Sequence, residues 1–126
     1  MKRLSSSPPW KVIVAGSRSF SDYRMMEQAL LHYLSRCDLS MVEIVSGTAR
    51  GADQLGERFA LEHGCAIKRF PADWTRYGKR AGFVRNEEMA KYADACVCFW
   101  DGKSRGTRHM IDLARRYQLW LRVVRF

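Results

Sequence analysis

Residues 44–53 read IVSGTARGAD, two branched apolar residues followed by two glycines, Gly47 and Gly51, four positions apart. Glycine lets bare backbone approach a ligand closely, and a helix start adds unpaired N–H groups and the positive end of the helix dipole. Gly47, Gly51 and Ala52 could therefore cradle a phosphate, with the Ser46 and Thr48 hydroxyls donating further hydrogen bonds. The same residues could equally make a tight strand-to-helix connection, so the loop alone decides nothing.

Two other loops share its character. Gly16-Ser17-Arg18 follows a first apolar run, and Trp100-Asp101-Gly102-Lys103-Ser104-Arg105-Gly106-Thr107 follows a later one. Positioning all three requires a particular arrangement of elements. Apolar runs at Trp10–Ala15, Met41–Val45, Ala66–Phe70, Ala95–Trp100 and Leu119–Val124 read as strands. Between them, helical spacing places Met26, Leu30, Tyr33, Leu34 and Cys37 on a first helix capped by Asp22. Ala52, Leu55, Phe59 and Ala60 mark a second, ending near Gly64. Pro71 opens a long loop, a third helix covers roughly Val84–Tyr92, and a fourth runs from Thr107 to about Tyr117. Strand and helix alternate, which predicts an α/β, Rossmann-like, doubly wound and mainly parallel sheet of about five strands with helices on both faces. In such sheets ligands bind beyond the carboxyl ends of the strands. Three glycine- and hydroxyl-rich loops on that edge look like a site.

The stretches AGSRSF, SGTARGAD and FPADWTRYGKRAGFVRNEEMAKYADACVCFWDGKSRGTRHMIDLA resemble the YspA-type (YpsA-related) branch of the SLOG superfamily. That superfamily includes the "Lonely guy" phosphoribohydrolases and the DNA-processing protein DprA, and the likeness runs from Val12 to Ala114. It implies a nucleotide or nucleotide-derived ligand held by the glycine loops. Thr107 is then expected to act both as helix N-cap and as phosphate contact beside Gly106, and Arg18 to reach into the cleft. Asp53, a poor neighbour for phosphate, would steady the start of its helix or accept from a ribose hydroxyl. In the phosphoribohydrolases an arginine four residues before a methionine is catalytic, and Arg85 stands four before Met89, with Asn86 beside it. Their glutamate, three residues beyond a Gly-Thr pair, is replaced here by Met110. If the chain is an enzyme, the resemblance makes it a nucleotide N-glycosidase lacking its expected acid. Asp101, Asp112, Glu87 or Glu88 are the substitutes within reach in sequence.

The segment 68–85 interleaves Lys68, Arg69, Arg76, Lys79, Arg80 and Arg85 with Phe70, Trp74, Tyr77 and Phe83. It could bind single-stranded nucleic acid by stacking and charge. The favoured reading is a lid over one nucleotide, with Trp74 or Tyr77 packed into the core.

The 126-residue chain has a formal net charge of +9, 47% hydrophobic and 28% charged residues, as expected of one folded domain over residues 10–126 with an anionic partner. Residues 1–9 read as a flexible arm and not as a secretory signal, which places the protein in the cytoplasm without a membrane span. Cys37, Cys65, Cys96 and Cys98 lack the pairing of a zinc site, and His32, His63 and His109 are scattered, so neither metal nor cofactor is expected. Homodimerisation is implied by the resemblance alone.

Overall fold

The computed structural model describes residues 9–126; apart from Pro9, the expected N-terminal arm lies outside them. Five strands form one sheet, parallel throughout: β1 (Trp10–Gly16), β2 (Val42–Ser46), β3 (Ala66–Arg69), β4 (Ala95–Trp100) and β5 (Trp120–Arg125), in the order β3-β2-β1-β4-β5. Successive side chains of a strand point to opposite faces. In β1, Val12 and Val14 pack with α1 (Tyr23–Tyr33) and α2 (Ala52–His63) through Met26, Leu30, Phe59 and Ala60. Ile13 and Ala15 pack on the other face with α4 (Ala81–Tyr92) and α5 (Arg105–Arg116) through Met89, Ala90, Met110 and Ile111. The sheet is covered on both sides, which is why β4 reads as an unbroken apolar run. Cys96 and Cys98 share one face of β4, with their sulfurs 3.5 Å apart.

The first two crossovers lie on one face and the last two on the other. Winding reverses between β1 and β4, and the loops leaving these neighbouring strands diverge to opposite faces, so a crevice opens between them. Asp22 caps α1 by accepting from the Met25 N–H at 3.0 Å. The expectations for two other elements need correction. The long loop after Pro71 contains α3 (Trp74–Tyr77) and a 3₁₀ turn at Gly78–Arg80, because Asp73 accepts from the Arg76 N–H at 3.0 Å and starts a helix there. In consequence α4 begins at Ala81 instead of near Val84. The cap of α5 is Ser104, not Thr107: the Ser104 hydroxyl accepts from the Thr107 N–H at 3.4 Å, and Thr107 is a buried first-turn residue.

No helix among the described residues is long and apolar enough to cross a membrane. His63 is less isolated than its place in the chain suggests, since its Nε2 lies 2.8 Å from Glu27 and near Glu62. Glu62 is already bound by Arg58 and Tyr23, and the cluster lies outside the crevice.

Candidate functional site

Gly16 and Phe99 are register partners at the carboxyl ends of β1 and β4, and the Ser17 N–H donates to the Phe99 carbonyl at 2.9 Å. Beyond them the two chains separate around a cavity of about 460 Å³. Ala15, Met89 and Met110 supply apolar lining, Asp53 comes from α2, Arg85 and Asn86 from α4, and Thr107 from the first turn of α5. Trp74 and Phe83 complete the wall while remaining 54% and 48% exposed. Large aromatic rings at a cavity mouth offer flat apolar faces to a ligand. The expectation that Trp74 or Tyr77 packs into the core is corrected, because Tyr77 too is exposed. The 3₁₀ turn after α3 carries this segment over the rim instead of into the interior.

Asp53 and Arg85 set the electrostatics. Asp53 is buried and accepts from the Ala49 N–H at 3.1 Å. Burial outweighs that bond and the nearby positive charge of Arg85, and raises the carboxyl to about 6. Arg85 is partly buried, which disfavours its charge; Asp53 supports that charge and Arg18 opposes it. Its Nη1 donates to the Gly47 carbonyl and its Nε donates to Asn86 Oδ1 at 2.9 Å, so three of the five guanidinium donors remain for another partner. Asp53 and Arg85 face each other across the vacant side-chain position of Gly47. A Cβ there would fall 2.6 Å from Arg85 Nη1 and 2.8 Å from Asp53 Oδ2. A side chain at position 47 would therefore displace one or both of these groups.

Asn86 links α4 to α5. Because its Oδ1 accepts from Arg85, its amide nitrogen must donate, and that nitrogen lies 3.3 Å from the Gly106 carbonyl and 3.2 Å from His109 Nδ1. Nδ1 then accepts, which suits the neutral ring; burial holds the His109 pKa below its usual value. On the facing loop, Asp101 Oδ1 accepts from the Lys103 and Ser104 N–H groups at 2.8 Å each, which keeps its carboxyl low. Ser17 Oγ accepts from the Asp101 N–H at 3.3 Å and ties the first loop to the third. The Trp100 indole donates to the Ser104 carbonyl at 3.1 Å. Gly106 and Thr107 of the first turn of α5 line the cavity, the Thr107 N–H is taken by Ser104 Oγ, and a Cβ at Gly106 would meet nothing within 4 Å.

A second cavity of about 260 Å³ shares Arg18, Ala49, Trp74 and Arg85 with the first and is lined further by Gly47, Thr48 and Arg50. Thr48 has φ 66°, a left-handed conformation costly for a β-branched residue. Its N–H donates to Ser46 Oγ at 3.0 Å, while that hydroxyl donates to Glu57 at 2.7 Å.

The structure therefore gathers Gly16, Ser17, Arg18, Asp53, Arg85, Asn86, Ser104, Gly106 and Thr107 around the larger cavity, and Gly47 and Thr48 around the smaller. Ser46, Gly51, Ala52, Trp100 and Gly102 line neither. The Ser46 hydroxyl is occupied internally, and the Ala52 N–H points to the Ser17 carbonyl at 3.4 Å. Gly51 has φ 78°, and a Cβ on it would stand 2.5 Å from the Ser17 carbonyl oxygen. That glycine permits two loops to touch. Of the carboxylates considered as substitutes for the missing acid, only Asp101 reaches the cavity wall; Asp112 is exposed beside Arg115, and Glu87 meets Lys91 and Tyr117. Arg50 and Ala49 escaped the sequence reading because nothing separates a turn residue from a wall residue until the fold places it.

A parallel sheet whose crevice holds a guanidinium, a buried carboxyl and the first turn of a helix defines a doubly wound α/β protein with its candidate site at the switch point of the strand order. The chain belongs to the YspA, cpYpsA-related SLOG family, whose model matches residues 10–77. It is 38% identical over 112 residues to the Gene 61 protein of Mycobacterium phage D29, covering 84% of this chain and 89% of that one. Among solved structures, DNA processing protein A of Helicobacter pylori, described for its single-stranded DNA binding mode, superposes with a TM-score of 0.67 at 23% identity. The match covers 92% of this chain and 65% of that one. DNA processing protein A (DprA) of Streptococcus pneumoniae gives 0.71 at 18% identity, covering 91% and 50%. This chain thus spans less than two-thirds of either DprA chain, and the likeness to them is one of fold.

Proposed function

We propose that the chain binds a nucleotide or nucleotide-derived ligand in the larger cavity. The observation that carries this reading is the presence in one cavity wall of Arg85, with three donors unused, buried Asp53 and two exposed aromatic rings. A base stacks against Trp74 or Phe83, Asp53 accepts from ribose hydroxyls, and Arg85 meets phosphate or ribose. The first turn of α5 at Gly106 adds N–H groups to the phosphate. Membership of the SLOG family supports the ligand class.

Binding is expected with little or no release of free base. Glycosidic cleavage develops positive charge at the sugar and is helped by a nearby carboxylate. Met110 offers none, and the two carboxyls in the wall are engaged, Asp101 by the Lys103 and Ser104 N–H groups and Asp53 by the Ala49 N–H. A panel of nucleoside monophosphates and dinucleotides should raise the melting temperature of the protein, since a ligand bound only by the native state stabilises it by mass action. Arg85→Ala should weaken binding about ten- to a hundredfold, the usual cost of a lost charge-assisted hydrogen bond. An unmoved melting temperature across the panel would count against the cavity as a nucleotide site.

Exposed Arg76, Lys79 and Arg80 beside Trp74 favour a second reading, in which the cavity takes one nucleotide of a single strand whose backbone crosses this rim. Salt separates the two. Affinity for a strand falls steeply between about 50 and 200 mM salt, and affinity for one nucleotide falls far less.

A further inference from the structure

The smaller cavity has a different chemical character from the larger one. Its charged walls are Arg18, Arg50 and Arg85, and none of its lining residues is acidic. Arg18 and Arg85 belong to both cavities, and the Arg18 charge works against that of partly buried Arg85. Guanidinium groups crowded in this way repel one another, and an anion seated among them relieves the repulsion. The neighbouring carboxylates lie outside its lining and have partners: Asp53 accepts from the Ala49 N–H, Glu57 from Ser46 and Arg69, and Asp73 from the Arg76 N–H. Arg50 is exposed, lines only the smaller cavity, and has no hydrogen bond or ion pair among the described residues.

We infer that the smaller cavity is a second anion subsite, and that the ligand carries a further phosphoryl group beyond the nucleotide held in the larger cavity. The inference rests on the nucleotide reading of that larger cavity. Two sources share this chemistry: the terminal phosphate of a nucleoside diphosphate, and the bridging phosphodiester of a dinucleotide. Arg18 and Arg85 at the shared wall then contact the group joining the two parts, and Arg50 contacts the far phosphoryl oxygens.

Calorimetric titration with nucleoside 5′-monophosphates, the matching 5′-diphosphates and 5′-phosphorylated dinucleotides tests this. At least one of the two extended ligands should bind about tenfold or more tightly than the monophosphate with the same base. Whichever gains identifies the source. Arg50→Ala should remove most of that gain and leave monophosphate affinity within about twofold, while Arg50→Lys should keep part of it because a cation remains. Substitution of an exposed turn residue leaves the fold in place, and circular dichroism verifies it. Equal affinity for mono- and diphosphates and dinucleotides, or an Arg50→Ala loss that falls equally on all three, would overturn the second subsite while sparing the first. Failure of every nucleotide to bind the wild-type protein would overturn both.

Discussion

Asp53 shows most sharply what the site costs the fold. A carboxyl buried in a native protein and raised to about 6 holds its proton at pH values where the unfolded chain has already released it. Folding stability is therefore full below about pH 4, where both states are protonated, and falls as pH rises through 4 to 6. Above that range the ionised group costs about 3 kcal/mol, because each pH unit between the unfolded and folded values is worth about 1.4 kcal/mol. Asp53→Asn removes the titration but keeps an oxygen to accept from the Ala49 N–H. The variant should match the wild type in urea unfolding at pH 4 and exceed its stability by up to about 3 kcal/mol at pH 8, while binding nucleotide more weakly. Equal stability of the two proteins at pH 8 would show that Asp53 is better solvated than its burial implies. Residue types in this region were readable from the sequence, but their pairing was not. Arg85 was singled out by its place before Met89, yet nothing in the chain says that it faces Asp53 across the vacant position of Gly47.

The glycine loops behave differently as elements. In the loop before α2, the Thr48, Ala49 and Ala52 N–H groups are taken by Ser46, Asp53 and the Ser17 carbonyl, so this turn is held mainly by itself and by its neighbour. The loop before α5 is held by Asp101 and Ser104, and Gly106 in the turn after it lines the cavity with free space beside its Cα. Three substitutions separate these roles. Gly51→Ala meets the Ser17 carbonyl and a left-handed φ, and should destabilise the protein by more than about 1 kcal/mol. Gly106→Ala meets nothing and should leave stability unchanged or raise it by about 0.5 kcal/mol. Gly106→Val, with more bulk toward the cavity, should keep the fold and lose nucleotide binding. Thermal melts alongside titrations distinguish the three, and a tolerated Gly51→Ala would contradict the loop-contact role. Strands were legible to within a residue because β1, β2 and β4 are covered on both faces and carry runs of apolar residues, unbroken in β4 and interrupted by Lys11 in β1 and Glu43 in β2. Helix starts were less legible. Asp73 and Ser104 are polar caps embedded in polar loops, and their capping shows only once the chain direction is known.

At the scale of the molecule, the strand order explains why one edge carries the site. The reversal of winding between β1 and β4 draws loops from opposite faces around one crevice that holds the larger cavity, and the smaller adjoins it across Arg18 and Arg85, among the loops that follow β1, β2 and β3. The periodic burial of strands and helices was enough to anticipate this doubly wound sheet. The adjoining of a mixed cavity and one whose charged residues are all arginine was not anticipated, because it depends on three arginines brought together from the β1 loop, the β2 loop and α4. The central claim is that the larger cavity holds a nucleotide, and isothermal titration of the wild-type protein with the four nucleoside 5′-monophosphates tests it most directly. The expected result is saturable binding of one nucleotide per chain, weakened about ten- to a hundredfold in Arg85→Ala with the fold preserved. No measurable heat at millimolar nucleotide, or binding that Arg85→Ala leaves untouched, would contradict it.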